Sequence, residues 1–407
     1  MKLKIKIFAL VLLMTTCILS LSSCLFIDFV SDTASSGGEV IENATINTGD
    51  INNYDVEINS SDDYGVIATS KALMSAVSIV TDSARGSGVI FKMNEDKSEA
   101  YILTNYHVIY DADSHRVSRN IKAYLYGQES FLYGDTDSLN YSMTAELLGG
   151  TVSYDLAVLK IRNNPILMES NAVACDFADS NGIAVLEPAI AVGNAEGNGI
   201  SATMGRVNVD SEEIKLYAAD DKTVMTLRVM RTDAAVNSGN SGGGLFNVSG
   251  ELIGIVNAKS VDSGADNIGF AIPSNVAKYI AENIIYYCDG ESTLTSAYRC
   301  MLGVTVRIAG LYTEYDTAAG VLHRKERIEV LEVSRGAAAE GLLYSGDVIN
   351  YITIDDEIYE VTRRFHVVDA MLNARVNSNV VVNVTRNGQK LDVTVPLSQS
   401  DIINADS

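Results

Sequence analysis

The chain has 407 residues, with 52 Asp and Glu against 30 Lys and Arg, a formal net charge of −22. Its 47% hydrophobic share excludes a globally disordered chain, and its length allows two or three domains with cores of their own. The acidic balance excludes a nucleic-acid-binding surface, which needs clustered Lys and Arg, and four His with five scattered Cys supply no zinc cluster.

Lys2, Lys4 and Lys6 form a basic n-region, Phe8 to Leu21 an uncharged apolar run, and Leu21-Ser22-Ser23-Cys24 follows. Small residues after such a run mark a secretory signal over residues 1–23. A Cys directly after Leu-Ser-Ser resembles a bacterial lipobox, in which that Cys becomes the lipidated first residue. The competing readings are an ordinary signal peptide or an uncleaved anchor helix, with Cys24 incidental. The expected location is extracytoplasmic, anchored to the cell membrane as a lipoprotein. Removal of three lysines takes the charge from −22 to −25, which aids solubility and repels anionic headgroups.

From Ile7 to Ser70 there is no Lys or Arg, and Ser31 to Asp63 is rich in Ser, Asp, Asn, Thr and Gly. The composition predicts an acidic flexible stalk over residues 24–70, or one in which Val56 to Ile58 adds a strand to the body. Within an expected domain of residues 71–290, the pattern from about Ala72 to Val261 is of short β-type runs separated by Gly, Asn and Asp: Gly88 to Phe91, Tyr101 to Thr104, Leu156 to Ile161, Ala189 to Val192 and Leu252 to Val256. Such spacing predicts a barrel or sandwich. Pro273 opens a helix over Asn275 to Tyr287, where a missing N–H is harmless. Cys288 and Cys300 either pair across a short loop or stay as buried thiols; Cys175 is left over.

A second unit of about 100 residues, 298–397, reads as strands at Leu302 to Arg307 and Ile328 to Val333, a short helix Ala337 to Glu340, a strand Asp347 to Ile352, a helix Arg364 to Asn373, and a final hairpin. That hairpin joins Val380 to Thr385 and Leu391 to Val395 through Asn387-Gly388. Residues 398–407 form a tail.

Three patterns carry chemistry. Leu103-Thr104-Asn105-Tyr106-His107-Val108 places a His after a strand. Tyr154-Asp155-Leu156-Ala157-Val158-Leu159 places an Asp at the mouth of a very apolar strand. Asn237-Ser238-Gly239-Asn240-Ser241-Gly242-Gly243-Gly244 places a Ser in a Gly-rich turn. Alone, each has a blander reading: a structural His, a strand-capping Asp, a flexible loop. Together they follow the order His, Asp, Ser of the chymotrypsin-type triad. A serine hydroxyl needs an adjacent base, a neutral imidazole serves near pH 7, and a buried carboxylate fixes its tautomer. His107 is thus the expected base, Asp155 its orienter and Ser241 the nucleophile. The N–H groups of Gly239 and Ser241 are the expected oxyanion hole. His115, His323 and His366 are isolated and no His-Glu-x-x-His pattern exists, so no metal and no cofactor are expected.

The ordered set resembles the HtrA/Deg-type trypsin-like serine proteases with one C-terminal PDZ domain. The resemblance runs from Ala72 to Leu397 and includes Gly86-Ser87-Gly88-Val89-Ile90, Thr232 to Asn237 and Asn267-Ile268-Gly269-Phe270-Ala271-Ile272-Pro273. It implies a mainly β fold: a chymotrypsin-like double β-barrel, then an α+β PDZ domain. It implies a serine endopeptidase acting on unfolded, misfolded or exported proteins, and, by analogy alone, a homotrimer. Asn240 stands where digestive relatives carry an Asp that binds a new N-terminus, so no such zymogen step is implied. Gly244 departs from the Pro usual there. By family position the specificity pocket draws on Asn237, Ile255, Val256 and Asn257. With no acid among them, cleavage after small or medium aliphatic residues is expected. Tyr298-Arg299-Cys300-Met301-Leu302-Gly303-Val304 is similar to a PDZ carboxylate-binding loop and first strand. Met301, Leu302, Gly303 and Val304 are the expected edge for hydrophobic C-terminal peptides, with Met371 or Val368 in the side-chain pocket. Leu302 and Val304 as plain core residues is the alternative. The competing function is a catalytically silent, PDZ-containing binding or chaperone-like protein.

Overall fold

The computed structural model describes residues 61–128, 141–258, 268–290, 292, 294–317 and 319–407. The expected signal, Cys24 and the strand at Val56 to Ile58 lie outside the described residues. No helix among the described residues is long and apolar enough to cross a membrane.

The first element is helix α1, Ser61–Ser75. It corrects the expected stalk, whose last residues are helical. Ala68 and Ala72, one turn apart, are buried with Phe246 and Leu252 in one core cluster. Methyl groups let the helix lie close, and a stripe of Ala leaves no periodicity of large apolar residues to read.

Strands β1 (Ala76–Val80), β2 (Arg85–Met93) and β3 (Glu99–Thr104) come next. The short helix α2 (Tyr106–Ile109) and the two-residue strands β4 (Tyr110–Asp111) and β5 (Arg116–Val117) follow. Then come β6 (Ile121–Leu125), β7 (Met143–Thr151), β8 (Leu156–Arg162) and helix α3 (Pro165–Met168). Six of these strands close a barrel in the order β1-β2-β3-β8-β7-β6. The second barrel uses β9 (Pro188–Gly193), β10 (Ser201–Tyr217), β11 (Val224–Thr232), β12 (Gly244–Phe246), β13 (Leu252–Asn257) and β14 (Gly269–Pro273). It closes in the order β10-β11-β14-β13-β12-β9.

The apolar runs read as strands are buried on both faces. In β8, Ala157, Leu159 and Ile161 fill the first barrel, whereas Leu156 and Val158 join a cluster shared with Ile190, Val192 and Ile255. In β13, Ile253 and Val256 fill the second barrel and Leu252 and Ile255 face the shared cluster. In β8 strand alternation sends successive residues to two different cores; in β13, where the pairing with β12 shifts register, the same two cores are reached at a spacing of three, and in both the polar half of the pattern is gone. Helix α4, Ser274–Cys288, agrees with the reading to within a residue at each end, and its Val276, Ala277, Ile280, Ala281 and Ile284 close the shared cluster.

The C-terminal unit begins with β15 (Tyr298–Cys300) and a long hairpin of β16 (Val304–Asp316) and β17 (Val321–Val333). It continues with β18 (Val348–Ile354), β19 (Glu357–Glu360), helix α5 (His366–Met371), β20 (Val380–Arg386), β21 (Gln389–Val395) and β22 (Ile402–Asn404). The sheet runs β16-β17-β18-β20-β21, with β19 on β18. Residues 337–340 are consecutive turns rather than a helix, and α5 is shorter than Arg364 to Asn373. The hairpin outgrows its core. Beyond Ile308 cross-strand pairing continues from Gly310 to Asp316 while Leu311, Tyr312 and Tyr315 are exposed, so ladder bonds carry it where apolar alternation has ended. The tail is not loose: β22 pairs with β15 in the register Tyr298 to Asn404 and Cys300 to Ile402.

This unit is seated on the second barrel. Buried Arg228 pairs with Asp369 of α5, Arg363 Nη2 donates to the Ser211 carbonyl at 3.0 Å, and Arg364 pairs with Glu213. The Arg228 guanidinium lies 3.8 Å from the Phe365 ring centre. Burial works against both charges of the Arg228–Asp369 pair, pushing the carboxyl up and the guanidinium down, while each holds its partner ionised. From α4, Asn283 donates to the carbonyls of Tyr298 at 2.6 Å and Leu372 at 2.9 Å. Cys175, Cys288 and Cys300 are free thiols. Burial pushes Cys175 up to about 12 and Cys288 and Cys300 up to about 11.

Candidate active site

Asp155 ends the turn between β7 and β8 and is 1% exposed. Its backbone is left-handed, with φ +48°, which Asp tolerates better than most residues but which still needs support from its surroundings. The support is dense. Its N–H donates to the Val152 carbonyl at 3.2 Å, and its carbonyl accepts from Tyr106 N–H at 3.1 Å and Asn105 Nδ2 at 2.9 Å. Its carboxylate accepts from His107 N–H at 2.9 Å through Oδ1. Through Oδ2 it meets His107 Nδ1 at 2.6 Å and accepts from Asn257 Nδ2 at 2.8 Å. Two sequence-predicted residues, 48 positions apart, are therefore in direct contact.

Ser241 is 6% exposed and sits one residue beyond Asn257 in space: its Oγ accepts from Ala258 N–H at 3.2 Å. The two barrels meet here. Ser87 N–H of β2 donates to the Ser241 carbonyl at 2.8 Å, and Gly242 N–H donates to Val256 of β13 at 2.9 Å. Gly242 has φ +85°, and a Cβ there would lie 2.2 Å from the Ser87 carbonyl oxygen. Only glycine fits such a seam. His107, Asp155, Asn257, Ala258 and Ser241 form a continuous chain of contacts. Among the described residues the hydroxyl is bonded to Ala258 N–H and not to the imidazole.

The turn before Ser241 is fixed at its carbonyl ends. Ser238 C=O accepts from Glu196 N–H at 2.7 Å, and Asn240 C=O from Gly243 N–H at 2.9 Å. A trans peptide points its N–H opposite its C=O, so Gly239 and Ser241 N–H are turned away from these anchors. Among the described residues neither has an acceptor. Ser87 Oγ braces the turn from the other barrel, donating to the Gly239 carbonyl at 2.7 Å while accepting from Asn194 N–H at 2.7 Å. Gly239 has φ +95°, and a Cβ there would lie 2.2 Å from the Asn194 oxygen.

With Nδ1 held by a carboxylate, the other imidazole nitrogen is free to take a proton from a hydroxyl, and paired N–H groups can receive a developing oxyanion. Sequence reading missed the braces. Ser87 stood in a quoted motif without a role, and nothing in it shows which way its hydroxyl points.

The four expected pocket residues are not brought together at a surface. Ile255 and Val256 are fully buried in the two core clusters, and the Asn257 amide is engaged by Asp155. Asn237 alone is exposed. Alternation of a barrel strand buried on both faces is the cause. Gly244 is not in a loop: it opens β12, paired with Val192 and Ile255, and a Cβ there would strike the Phe246 ring at 2.2 Å.

In the C-terminal unit Leu302 is buried in the core, Met301 is exposed and Val304 half-buried. Gly303 has φ +71°, and a Cβ there would meet the Ala337 methyl at 2.0 Å. Met301 N–H already donates to the Asp401 carbonyl at 2.8 Å. Met371 is buried, and Val368 is exposed.

Residues 86–255 match the trypsin-like peptidase domain family. The chain is 30% identical over 362 residues to serine protease Do-like HtrA of Lactococcus lactis subsp. cremoris, covering 86% of this chain and 79% of that protein. It is 30% identical over 331 residues to serine protease Do-like HtrA of Bacillus subtilis, covering 79% of this chain and 65% of that one. Among solved structures, the HtrA-type protease AlgW with tripeptide superimposes with a TM-score of 0.52 at 30% identity, over 82% of this chain and 96% of that one. A mainly β, trypsin-like fold and kinship at this level place the sequence firmly: the chain belongs to the HtrA-type serine proteases.

Proposed function

We propose that the chain is an extracytoplasmic serine endopeptidase in which His107 is the general base, Asp155 its orienter and Ser241 the nucleophile. Ser241 Oγ attacks the scissile carbonyl carbon as its proton passes to His107. The tetrahedral oxyanion rests on the Gly239 and Ser241 N–H groups. His107 then protonates the leaving amine, and water hydrolyses the acyl-enzyme by the same base. The observation that carries this reading is the junction at Asp155 Oδ2, which takes His107 at 2.6 Å and Asn257 at 2.8 Å beside the Ser241 turn. Ser241 Oγ accepts from Ala258 N–H at 3.2 Å and keeps its own O–H to donate to the imidazole, a bond that tightens when substrate binds.

We assign residues 71–290 to the protease domain and 298–397 to a PDZ domain that receives hydrophobic C-termini along Met301 to Val304. Support comes from the place of β16, which begins at Val304, at the end of the sheet order, and from the peptide-bound state of the AlgW structure. The substrates are unfolded or misfolded exported proteins. A lipid on Cys24 holds the enzyme at the membrane, and a homotrimer is the assembly. The relatives described as probable periplasmic DegP-like endoproteases support the compartment.

Casein digestion by wild type and Ser241→Ala, with fluorophosphonate labelling of both, tests the reading. Wild type is expected to cleave and to be labelled, and the variant to do neither. Equal casein loss in both, or no labelling of wild type, overturns it in favour of a silent binding protein. Product termini are expected to follow small or medium aliphatic residues; a profile of Lys and Arg refutes that specificity.

A further inference from the structure

The tail crosses from the C-terminal unit back to the first barrel and ends on the turn that carries Asp155. Asp406 Oδ1 accepts from Thr151 Oγ1 at 2.5 Å and from Ser153 N–H at 2.8 Å. These are the first and third residues of the four-residue stretch, 151–154, that delivers Asp155 in its left-handed conformation. Thr151 is fully buried, so its hydroxyl has no water to replace a lost acceptor. One carboxylate oxygen thus ties the end of β7 to the far side of the turn, across more than 250 positions of sequence.

The tie is itself anchored. Ala405 is buried in the core shared by the barrels, and its N–H donates to the Ala297 carbonyl at 2.9 Å. Residues 295–297 in turn lie along Gly150: Gly150 N–H donates to Thr295 at 2.9 Å, and Ala297 N–H to Gly150 at 3.4 Å. Upstream, β22 is laced to β15, and Ser398 and Asp401 cap the turn between them and β21. Every step from the C-terminal unit to Asp406 is a hydrogen bond or a buried side chain.

We propose that Asp406 is a positioning residue for the hydrolytic reaction, bracing the 151–154 turn so that Asp155 meets His107 in the productive geometry. The proposal rests on the reading of Asp155 as the orienter of His107. A strained residue keeps its conformation only while its neighbours over-determine it, and this brace supplies two of the bonds on the turn's outer side. Loss of the brace lets the turn relax, and a small displacement of a catalytic group is enough to slow turnover. The titratable side chains facing Asp406 are Tyr106 and Tyr154. Burial raises both phenols and the Asp406 charge raises them further, so neither ionises between pH 5 and 8.

The test uses the full chain and a short peptide substrate, with active sites counted by fluorophosphonate. Asp406→Ala and Thr151→Val are each expected to lower kcat about tenfold with KM within twofold, and Thr151→Ser to restore wild-type turnover. The double variant is expected to be no worse than Asp406→Ala alone, because Asp406→Ala already removes the Thr151 bond as well as the Ser153 bond. The acid limb of kcat/KM is expected to move to lower pH in both slow variants, since a misplaced carboxylate supports the imidazolium less. A kcat within twofold of wild type in Asp406→Ala overturns the proposal, as does a fall that leaves the acid limb where it was. Ser241→Ala separates the two claims. If it is dead while Asp406→Ala is fully active, only the brace falls; if it is active, the triad reading falls.

Discussion

Asn257 Nδ2 donates to Asp155 Oδ2 at 2.8 Å, the same oxygen that His107 Nδ1 meets at 2.6 Å. One carboxylate oxygen is shared by a ring of the first barrel and an amide of the second. Asn257→Ala removes a donor from a buried anion and frees Asp155 to rotate. Hydrogen bonds to charged groups contribute about 1.5–3 kcal/mol, so kcat is expected to fall at least about tenfold. Asn257→Asp sets a second carboxylate against Asp155 and is expected to be slower still. Steady-state kinetics on a peptide substrate checks both; an Asn257→Ala enzyme with wild-type kcat refutes the role.

Ser87 links the barrels at the turn carrying Gly239, donating to the Gly239 carbonyl and accepting from Asn194 N–H. Ser87→Ala leaves both groups buried without their partner, at about 1–3 kcal/mol. The turn is expected to loosen and kcat to drop about ten- to a hundredfold, with KM little changed because the loss acts on the transition state. Ser87→Thr keeps the hydroxyl and serves as the control. Equal losses in kcat and in thermal stability for both variants would mark a purely structural residue.

His366 lies in α5 between Arg228 and Arg363, and burial first, then those two charges, hold it down to about 3. The unfolded chain takes up a proton near pH 6.5, which the folded chain refuses until about pH 3. Unfolded molecules therefore bind more protons across that window, and stability falls as pH drops through it, by up to about 1.4 kcal/mol per unit. Urea unfolding at pH 7.5, 6 and 5 is expected to show a shallower decline for His366→Asn than for wild type. Parallel declines would refute the contribution of His366 to the pH dependence of stability.

The two ends of the active-site problem were unequally legible. His107, Asp155 and Ser241 stand out because each sits in a local pattern whose residues follow the backbone: a strand end, a strand mouth, a glycine-rich turn. Helix α4 and the barrel strands β2, β3, β8, β9 and β13 were legible for the same reason, since periodicity is a property of neighbours in sequence. Which way Ile255, Val256 and Asn257 point was not legible, because a strand buried on both faces has no polar side to betray it. Helix α1 was hidden by its stripe of Ala, and residues 337–340 close on i to i+3 turn bonds, Glu340 N–H to the Ala337 carbonyl among them, without a helical ladder.

The order His, Asp, Ser and the family were legible in the amino-acid sequence, and the twin barrels followed from the family resemblance where patterning alone gave a barrel or sandwich, because local patterning and kinship need no coordinates. Tertiary structure alone decided what the acid touches. That Asn257 and His107 share one oxygen, that Ser87 grips the Gly239 turn and that Asp406 reaches Thr151 are contacts between residues 48 to 255 positions apart. Hydrogen bonds act over about 3 Å of space, and only chain closure into two barrels and a returning tail brings such distant groups within that reach.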